Sequence, residues 1–555
     1  MISTQSRRVE EGISIVKKSE PKGTTCFSKK YLLFFSLCLC VSALNLSCAS
    51  KATDPRSVIP ADALVYLETN DLGRMLSAIT DNPKFQELAK NKPDLSALKG
   101  MRLAVAVTGF ETSEQQVTEE NSVLNFQPHF VAVAETNAWG WQTSSFTENQ
   151  LGEFINEVYG GEVELEVTPK NDGKYYIWKA QDGRKAYALV EGSVIYFGND
   201  ESSIEKCLAV KRGEADSIAK NSKISSAGDN LAFGYISPDG IAQLSNLTGV
   251  SMAMKAGEAG EVKSFIARVL PEVLRNSVKE LTWTANKTED SRIEDKYSVA
   301  LDPDTVRVFS ETFVPSGSTD QDLSRFVPAE FVSTTRYSFK DPQIAWRSVV
   351  LTAQHQTDKI SGKLLTEFSS SLFEPYAVED AESFLSAAGN TLQTATFDAE
   401  GDDVAVITRM KDVDKIKKSV TKDISLSKPP EKLEGADLWR SDDGELAAAI
   451  SDNYIVLGDA ASVVKCLQAR SSGNGLAAAA NYARLAGSNA VIATIGNESD
   501  PAAKLIDVLA DRKNENTPLT QNYLTETRFN QYGIDRTTVS DFGLIGAIIE
   551  KFGKD

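Results

Sequence analysis

The stretch W-K-A-Q-D-G at residues 178–183 decides the fold, together with V-I-Y-F-G at 194–198 and S-I-E-K-C-L at 203–208. The same ordered pattern returns as W-R-S-D-D-G at 439–444, Y-I-V-L-G at 454–458 and S-V-V-K-C-L at 462–467. The offset between the two copies stays between 259 and 261 residues. Ordered matches at a near-constant offset indicate an internal duplication.

Further matches on either side of this block fix the extent of each copy. I-P-A-D at 59–62 corresponds to V-P-A-E at 327–330, and V-A-V at 131–133 corresponds to V-A-V at 404–406. A chain of 555 residues also exceeds a single core, since cores stop growing at about 250–300 residues. We therefore predict a first domain at 58–314 and a second at 324–555, joined by a Pro-, Gly- and Ser-containing linker at 315–323.

Local signals in each copy predict an antiparallel sheet with packed helices. Asp-Gly pairs at 172–173, 182–183 and 443–444 favour tight hairpin turns, because such turns require positive φ. Val194–Phe197 and Tyr454–Leu457 are predicted as buried strands, each followed by an aspartate, Asp200 or Asp459, that caps a helix. The predicted class is α+β with two homologous domains, each a mainly antiparallel sheet. Longer helices are predicted at 72–88, 147–158, 263–278 and 363–372, and further strands at 281–285, 293–301 and 527–534.

The N-terminal segment 1–47 has the pattern of an export signal. Lys29 and Lys30 precede an apolar run, Tyr31–Leu44, that is shorter than the about 20 residues needed to cross a bilayer. The segment resembles a bacterial lipoprotein signal, in which a small residue precedes the cysteine that becomes lipidated, here Ser47 and Cys48. Asn45 departs from that pattern, and an uncleaved anchor is the alternative. Residues 48–57 then form a tether, with the domains in water beside a membrane.

Charge and residue counts exclude several classes of function. The net charge is −18, although the first 47 residues carry seven Lys or Arg against three Glu. We predict no nucleic-acid binding, because an acidic chain cannot replace phosphate counterions. His129 and His355 are the two histidines and occupy non-equivalent places in the copies, so we predict neither a catalytic triad nor a histidine metal site. Phosphate, dinucleotide and metalloprotease motifs are also absent, so no catalytic residue, cofactor or metal is predicted.

The cysteines divide between the leader and the two copies. Cys26, Cys38 and Cys40 lie in the leader and Cys48 is the predicted lipidation site, which leaves Cys207 and Cys466 at equivalent positions. These two could pair in a disulfide or fill separate cores. Core packing is favoured, because each occupies the apolar face of a predicted helix.

Two further features could carry binding. Trp139 and Trp141 occur only in the first copy; if exposed they would anchor an interface, whereas burial in the core is the favoured interpretation. Met252 and Met254, in a glycine-containing stretch before an apolar helix, fit a lid over an apolar cavity or, as the favoured interpretation, a plain loop and core helix.

The lipoprotein-like leader, the Pro-Ala-Asp/Glu opening of each copy and the strand-Gly-helix block ending in Lys-Cys-Leu resemble an uncharacterised bacterial envelope lipoprotein family, a duplicated domain of unknown function. The resemblance covers most of the chain from about Ser57 onward. It implies a periplasmic, outer-membrane or cell-surface setting, with no assigned activity and no functional residue to transfer.

Three functional hypotheses remain at this point. The first is a non-enzymatic, lipid-anchored protein that binds an envelope protein or a hydrophobic ligand between its two domains. The second is a carboxylate-based glycan hydrolase, which requires two facing carboxylates in a cleft. The third is a lipid carrier, which requires an apolar cavity between sheet and helix.

Overall fold

The computed structural model describes residues 53–116, 122–161, 163–170, 172–224, 227–255, 261–476, 482–499, 501–510, 512–513 and 520–551. The predicted signal segment and Cys48 lie outside these residues. We call residues 53–314 the first half and residues 315–551 the second half. Strands of the first half are β1 (Val65–Thr69), β2 (Arg102–Gln116), β3 (Ser122–Glu135), β4 (Glu164–Lys170), β5 (Gly173–Lys179), β6 (Lys185–Glu191), β7 (Val194–Gly198), β8 (Ala232–Ile236), β9 (Val278–Lys287) and β10 (Ile293–Leu301). Strands of the second half are β11 (Ser333–Ser338), β12 (Ala388–Thr396), β13 (Val404–Met410), β14 (Glu431–Leu433), β15 (Ala436–Arg440), β16 (Leu446–Ser451), β17 (Tyr454–Asp459), β18 (Ile492–Ser499), β19 (Thr520–Asn530) and β20 (Gly533–Ser540).

These described strands form one large, entirely antiparallel sheet. From edge to edge the order is β4-β5-β6-β7-β3-β2-β1-β8-β9-β10-β20-β19-β18-β11-β12-β13-β17-β16-β15-β14. Starting from the β10–β20 pair at the centre of the sheet, each half has the same strand order, with β11–β20 in the places of β1–β10. The two halves meet where β10 pairs with β20, from Ile293 opposite Ser540 to Ala300 opposite Gly533.

Helices cover both faces of this sheet. Those of the first half are α1 (Leu72–Thr80), α2 (Pro83–Leu88), α3 (Gly140–Phe146), α4 (Gly152–Tyr159), α5 (Glu201–Lys211), α6 (Pro238–Lys255), α7 (Glu261–Ser277) and α8 (Pro303–Thr312). Those of the second half are α9 (Pro342–His355), α10 (Lys359–Phe368), α11 (Ala381–Ala387), α12 (Val413–Ser419), α13 (Ala460–Ser472), α14 (Tyr482–Gly487), α15 (Pro501–Leu509) and α16 (Gly543–Glu550). No helix of the described residues is long and apolar enough to cross a membrane.

Alternation along the strands gives each half two apolar layers, one on either face. In the second half, Ala405 and Ile407 of β13 pack toward α13, whereas Val406 between them packs toward α11. In the first half, Val131 and Val133 of β3 pack toward α5 in the same manner. A further core around Trp283 joins elements from both halves, including α1, α2, α15 and α16.

Most of the local predictions around the repeated block are confirmed. The three Asp-Gly pairs lie in the β4–β5, β5–β6 and β15–β16 hairpins. Asp200 and Asp459 cap α5 and α13, accepting backbone hydrogen bonds from Ser203 at 3.0 Å and Ser462 at 2.8 Å.

Several predicted boundaries are wrong for local reasons. The helix predicted at 72–88 is broken after Thr80, because Asn82 caps a new helix that opens with Pro83. The helical segment predicted at 147–158 begins at Gly140 and passes through a π turn, Thr147–Leu151. The helix predicted at 363–372 is α10, which ends at Phe368 and is followed by a 3-10 helix, Ser370–Tyr376. The strand predicted at 527–534 spans the turn between β19 and β20.

Cys207 and Cys466 are free and fully buried, each in the core of its own half. The predicted packing role is therefore confirmed. Burial raises the pKa of both thiols to about 12.

The predicted linker 315–323 is hydrogen-bonded to strands of the second half, β11 and β13. Ser316 N donates to Ser338 O at 3.2 Å, and Asp320 Oδ2 accepts from Arg409 Nε at 2.7 Å. The sequence predicted a binding groove between two domains. At this junction the structure has the paired strands β10 and β20 instead.

Candidate functional site

An apolar cavity of about 300 Å³ lies in the second half, between the sheet and the helices that cover it. The sheet contributes side chains from four neighbouring strands. Register places Tyr337 of β11 opposite Leu392 of β12 on one side and Ile492 of β18 on the other. Thr394 of β12 lies opposite Val406 of β13. Because partners in an antiparallel sheet point to the same face, these five residues form one continuous wall.

The opposite wall comes from the segment between β11 and β12. Asp341 starts α9 by accepting a hydrogen bond from Ile344 N at 3.1 Å. The helix then directs Ala345, Trp346 and Val349 into the cavity. The 3-10 helix Ser370–Tyr376 and α11 complete this wall with Leu372, Phe373, Tyr376 and Leu385.

Aromatic rings in contact make the walls rigid. Trp346 meets Phe373 edge to face, with ring centroids 5.0 Å apart and planes at 79°. Phe313 and Phe339 meet in the same way at 5.4 Å and 82°. Offset and edge-to-face arrangements of this kind are the favoured geometries of aromatic pairs. The rings therefore hold the cavity in a defined shape.

Two phenols provide the polar part of the cavity. Tyr337 and Tyr376 both line the cavity together with Thr394, which supplies the third hydroxyl group of its walls. Burial raises the pKa of Tyr337, and it raises the pKa of Tyr376 to about 12. Both phenols therefore stay neutral at physiological pH. Among the described residues that line the cavity, none is acidic or basic.

The cavity opens to solvent between α9 and the 3-10 helix. Val349 and Leu372 line it and are themselves 37% and 50% exposed. Partly exposed apolar side chains that line a cavity are typical of the rim of a ligand site. The opening is therefore apolar like the interior.

A second concave region, beside residues 318–322, is polar and open. Here Asp320 is held by Arg409, and the Tyr454 hydroxyl donates to Asp320 Oδ1 at 3.2 Å. The Arg409 guanidinium also lies over the Tyr454 ring, 4.7 Å from its centroid. An enzyme using two carboxylates needs them directed at a substrate, whereas Asp320 is already paired within the protein.

Asp295, whose pKa is raised by burial, is a core residue. It accepts hydrogen bonds from Trp283 Nε1 at 2.8 Å and Leu544 N at 2.9 Å.

His129 lies on β3 with Nε2 3.3 Å from Glu111 Oε2, and His355 ends α9. The described residues contain no cluster of three or more His, Cys, Asp or Glu side chains able to hold a metal ion.

The structure corrects the interpretation of the two first-copy tryptophans. Trp139 is 58% exposed and Trp141 is 71% exposed, so they do not pack in the core. They precede and begin α3, which rests on the β6–β7 turn and leaves their rings outside the sheet. Met252 and Met254 lie within the last turns of α6, where a loop was predicted; their side chains lie outside the described part of the chain.

Sequence reasoning missed the cavity residues altogether. The available signal was five aromatic residues: one in β11, at 337, and four, at 339, 346, 373 and 376, in the segment between β11 and β12, which is longer than the corresponding segment between β1 and β2. No family model, curated protein or solved structure matches this chain.

Proposed function

We propose that this protein is an exported, lipid-anchored envelope protein that binds a hydrophobic ligand in the aromatic cavity of its second half. The observation that carries the proposal is the cavity between sheet and helices, walled by aromatic and aliphatic side chains and open through apolar residues. Ligand sites are typically apolar concavities of about 300–1,000 Å³ with few polar groups. The cavity lies at the small end of that range.

The chemistry of the walls defines the class of ligand. A charged group in this cavity would lose its hydration without an ionic partner, which is costly. A neutral hydroxyl, carbonyl or ester could instead hydrogen-bond with Tyr337, Tyr376 or Thr394, with its hydrocarbon part against Trp346 and Phe373. We therefore propose a largely hydrocarbon molecule with a neutral polar group, bound without chemical conversion.

We further propose that the chain consists of two homologous domains, at 58–314 and 324–555. The repeated strand order of the two halves supports this division, as do the equivalent positions of Cys207 on the buried face of α5 and Cys466 on the buried face of α13. Only the second half carries the long helical segment that forms the cavity. The duplication thus supplies two similar halves of one sheet, of which the second has gained a binding role.

Export and anchoring rest on the sequence of residues 29–48. Mass spectrometry of the mature protein is expected to find Cys48 at the N-terminus with a diacylglyceryl group on sulfur. A mature chain that starts at another residue, or an intact unmodified leader, would contradict the anchor.

Ligand binding can be tested with the fluorescent hydrophobic compound N-phenylnaphthylamine. The native protein is expected to bind it at a single saturable site, with energy transfer from Trp346. Val406→Phe narrows the cavity at a wall residue that is 5% exposed, and should weaken binding about tenfold or more, equivalent to 1.4 kcal/mol.

Val413→Phe makes the same change at an exposed position of α12 and should leave binding intact. Equal binding by the native protein and both variants would show that the compound binds elsewhere. Native mass spectrometry of protein purified from membranes would then identify any molecule retained.

A further inference from the structure

The two exposed tryptophans stand on a rigid turn between β3 and α3. Thr136 Oγ1 donates to Ser193 O at 2.9 Å, which ties the turn to the β6–β7 hairpin. Asn137, with φ of 55°, donates from Nδ2 to Gly100 O at 2.8 Å. Trp139 N donates to Gln142 Oε1 at 3.1 Å at the start of α3. The turn is therefore fixed on three sides while its indoles remain in solvent.

The described chain begins at this same turn. Thr53 N donates to Glu135 Oε2 at 3.2 Å, and Asn137 N donates to the other oxygen of that carboxylate at 3.3 Å. Glu135 is 2% exposed, so both contacts are internal to the fold. Cys48 precedes Thr53 by five residues, a distance that an extended chain spans in at most about 18 Å. A lipid on Cys48 would hold this end of the sheet close to the bilayer.

We propose that Trp139 and Trp141 rest in the headgroup region of the membrane that carries the Cys48 lipid. The proposal rests on the proposed anchor. Indoles favour this region because the ring is apolar and its N–H can reach water or lipid carbonyls. Lipid chains alone fix only the attachment point, whereas an additional apolar contact fixes the orientation of a domain.

Surrounding residues agree with a lipid surface as the partner. Gly100, which accepts the hydrogen bond from Asn137, directly follows Lys99 and lies two residues before Arg102. Lys99 is exposed and Arg102 is half-buried, so the segment hydrogen-bonded to this turn carries cationic groups that anionic headgroups would attract. In the second half, the corresponding strand β13 leads into α12 through Asp412 and Val413, without an aromatic residue. The pair of exposed tryptophans is therefore a feature of the half that follows the proposed anchor.

The test uses the full-length, processed protein in vesicles of phosphatidylethanolamine and phosphatidylglycerol whose acyl chains are brominated. Bromine quenches indole emission at short range. Trp178, Trp283 and Trp439 are buried in the protein, and Trp346 is half-buried in the cavity of the second half, so the quenching that Trp139 and Trp141 contribute is the part lost when both are replaced. The double variant Trp139→Phe and Trp141→Phe should lose the quenched component and still float with the vesicles.

Tyr532→Ala is the matched control, because Tyr532 is as exposed as Trp141, at 71%, but lies in the β19–β20 turn. This variant should be quenched like the native protein. A native protein that floats with vesicles but shows no quenching, or a double variant that is quenched as much as the native protein, would overturn the docking role and leave the anchor standing. A native protein that fails to float would overturn both proposals.

Discussion

Ala345→Leu tests whether the aromatic cavity can accommodate a larger side chain in the folded protein. Ala345 is 2% exposed and faces the cavity from α9. Leucine adds three carbon atoms, and about 300 Å³ is available to receive them. Each buried methylene contributes about 0.8 kcal/mol, so the ligand-free protein should gain up to about 2 kcal/mol of unfolding free energy. For a unit the size of the second half, this gain corresponds to a rise of roughly 5 °C in the unfolding midpoint.

Ala405→Leu is the matched control for this prediction. Ala405 lies on β13 with its methyl group in the packed core beneath α13, where it is fully buried. The same three carbons have no space there, and overpacking should cost about 1–3 kcal/mol. The two substitutions should therefore shift thermal unfolding, followed by circular dichroism, in opposite directions.

Binding of N-phenylnaphthylamine provides the second readout. Ala345→Leu should weaken it, because the added side chain occupies the volume of the ligand. If Ala345→Leu destabilises the protein as Ala405→Leu does, the cavity is closed in solution. If it stabilises the protein and leaves binding unchanged, the space exists but is not the binding site.

Three further predictions concern titratable groups. The Tyr376 phenol has a pKa raised to about 12 by burial, so its contribution to stability is complete below pH 10 and is lost as the pH rises through 12. Unfolding free energies of Tyr376→Phe should therefore fall less over that range than those of the native protein. The Asp295 pKa is raised above 3.8 by burial, so its contribution is complete below that pH and is lost as the pH rises through the folded pKa. Asp295→Asn should lower the unfolding free energy by a constant amount, because its amide nitrogen cannot accept a hydrogen bond from Leu544 N. Relative to this variant, the native protein should lose stability as the pH rises. Unfolding free energies that change in parallel with pH in the two proteins would contradict a raised pKa for Asp295. Cys207 and Cys466, with thiol pKa values of about 12, should remain unalkylated by iodoacetamide at pH 8 in the native protein and react on unfolding, as peptide mass spectrometry would detect.

Local sequence signals were sufficient to predict the strands, turns and helix starts of the repeated block. Asp-Gly turns, Asp200 and Asp459 as helix caps, and the apolar faces around Cys207 and Cys466 depend on residues close together in the chain. Such signals identify strands, turns and helix starts wherever the segment ends up. They also indicated the mixed helix and antiparallel strand class, which the structure has.

Helix ends and exposure depended on interactions that the local pattern does not contain. Asn82 and Pro83 divide one apolar stretch into two helices, a choice the apolar periodicity alone does not reveal. Trp139 and Trp141 were expected in the core because tryptophan is buried on average. Their exposure follows from the turn that fixes α3 on the β6–β7 hairpin, and this turn is held by residues from three separate segments.

By itself, the sequence determined the repeated block, its turns and caps, and the burial of the two cysteines. The tertiary structure alone decided that β10 and β20 join the halves into one sheet, because strand pairing between segments more than 200 residues apart leaves no local pattern. It also decided the cavity, whose walls come from β11, β12, β13, β18 and the helices between β11 and β12. A cavity is the space left after distant side chains have packed, and only their combined positions define it.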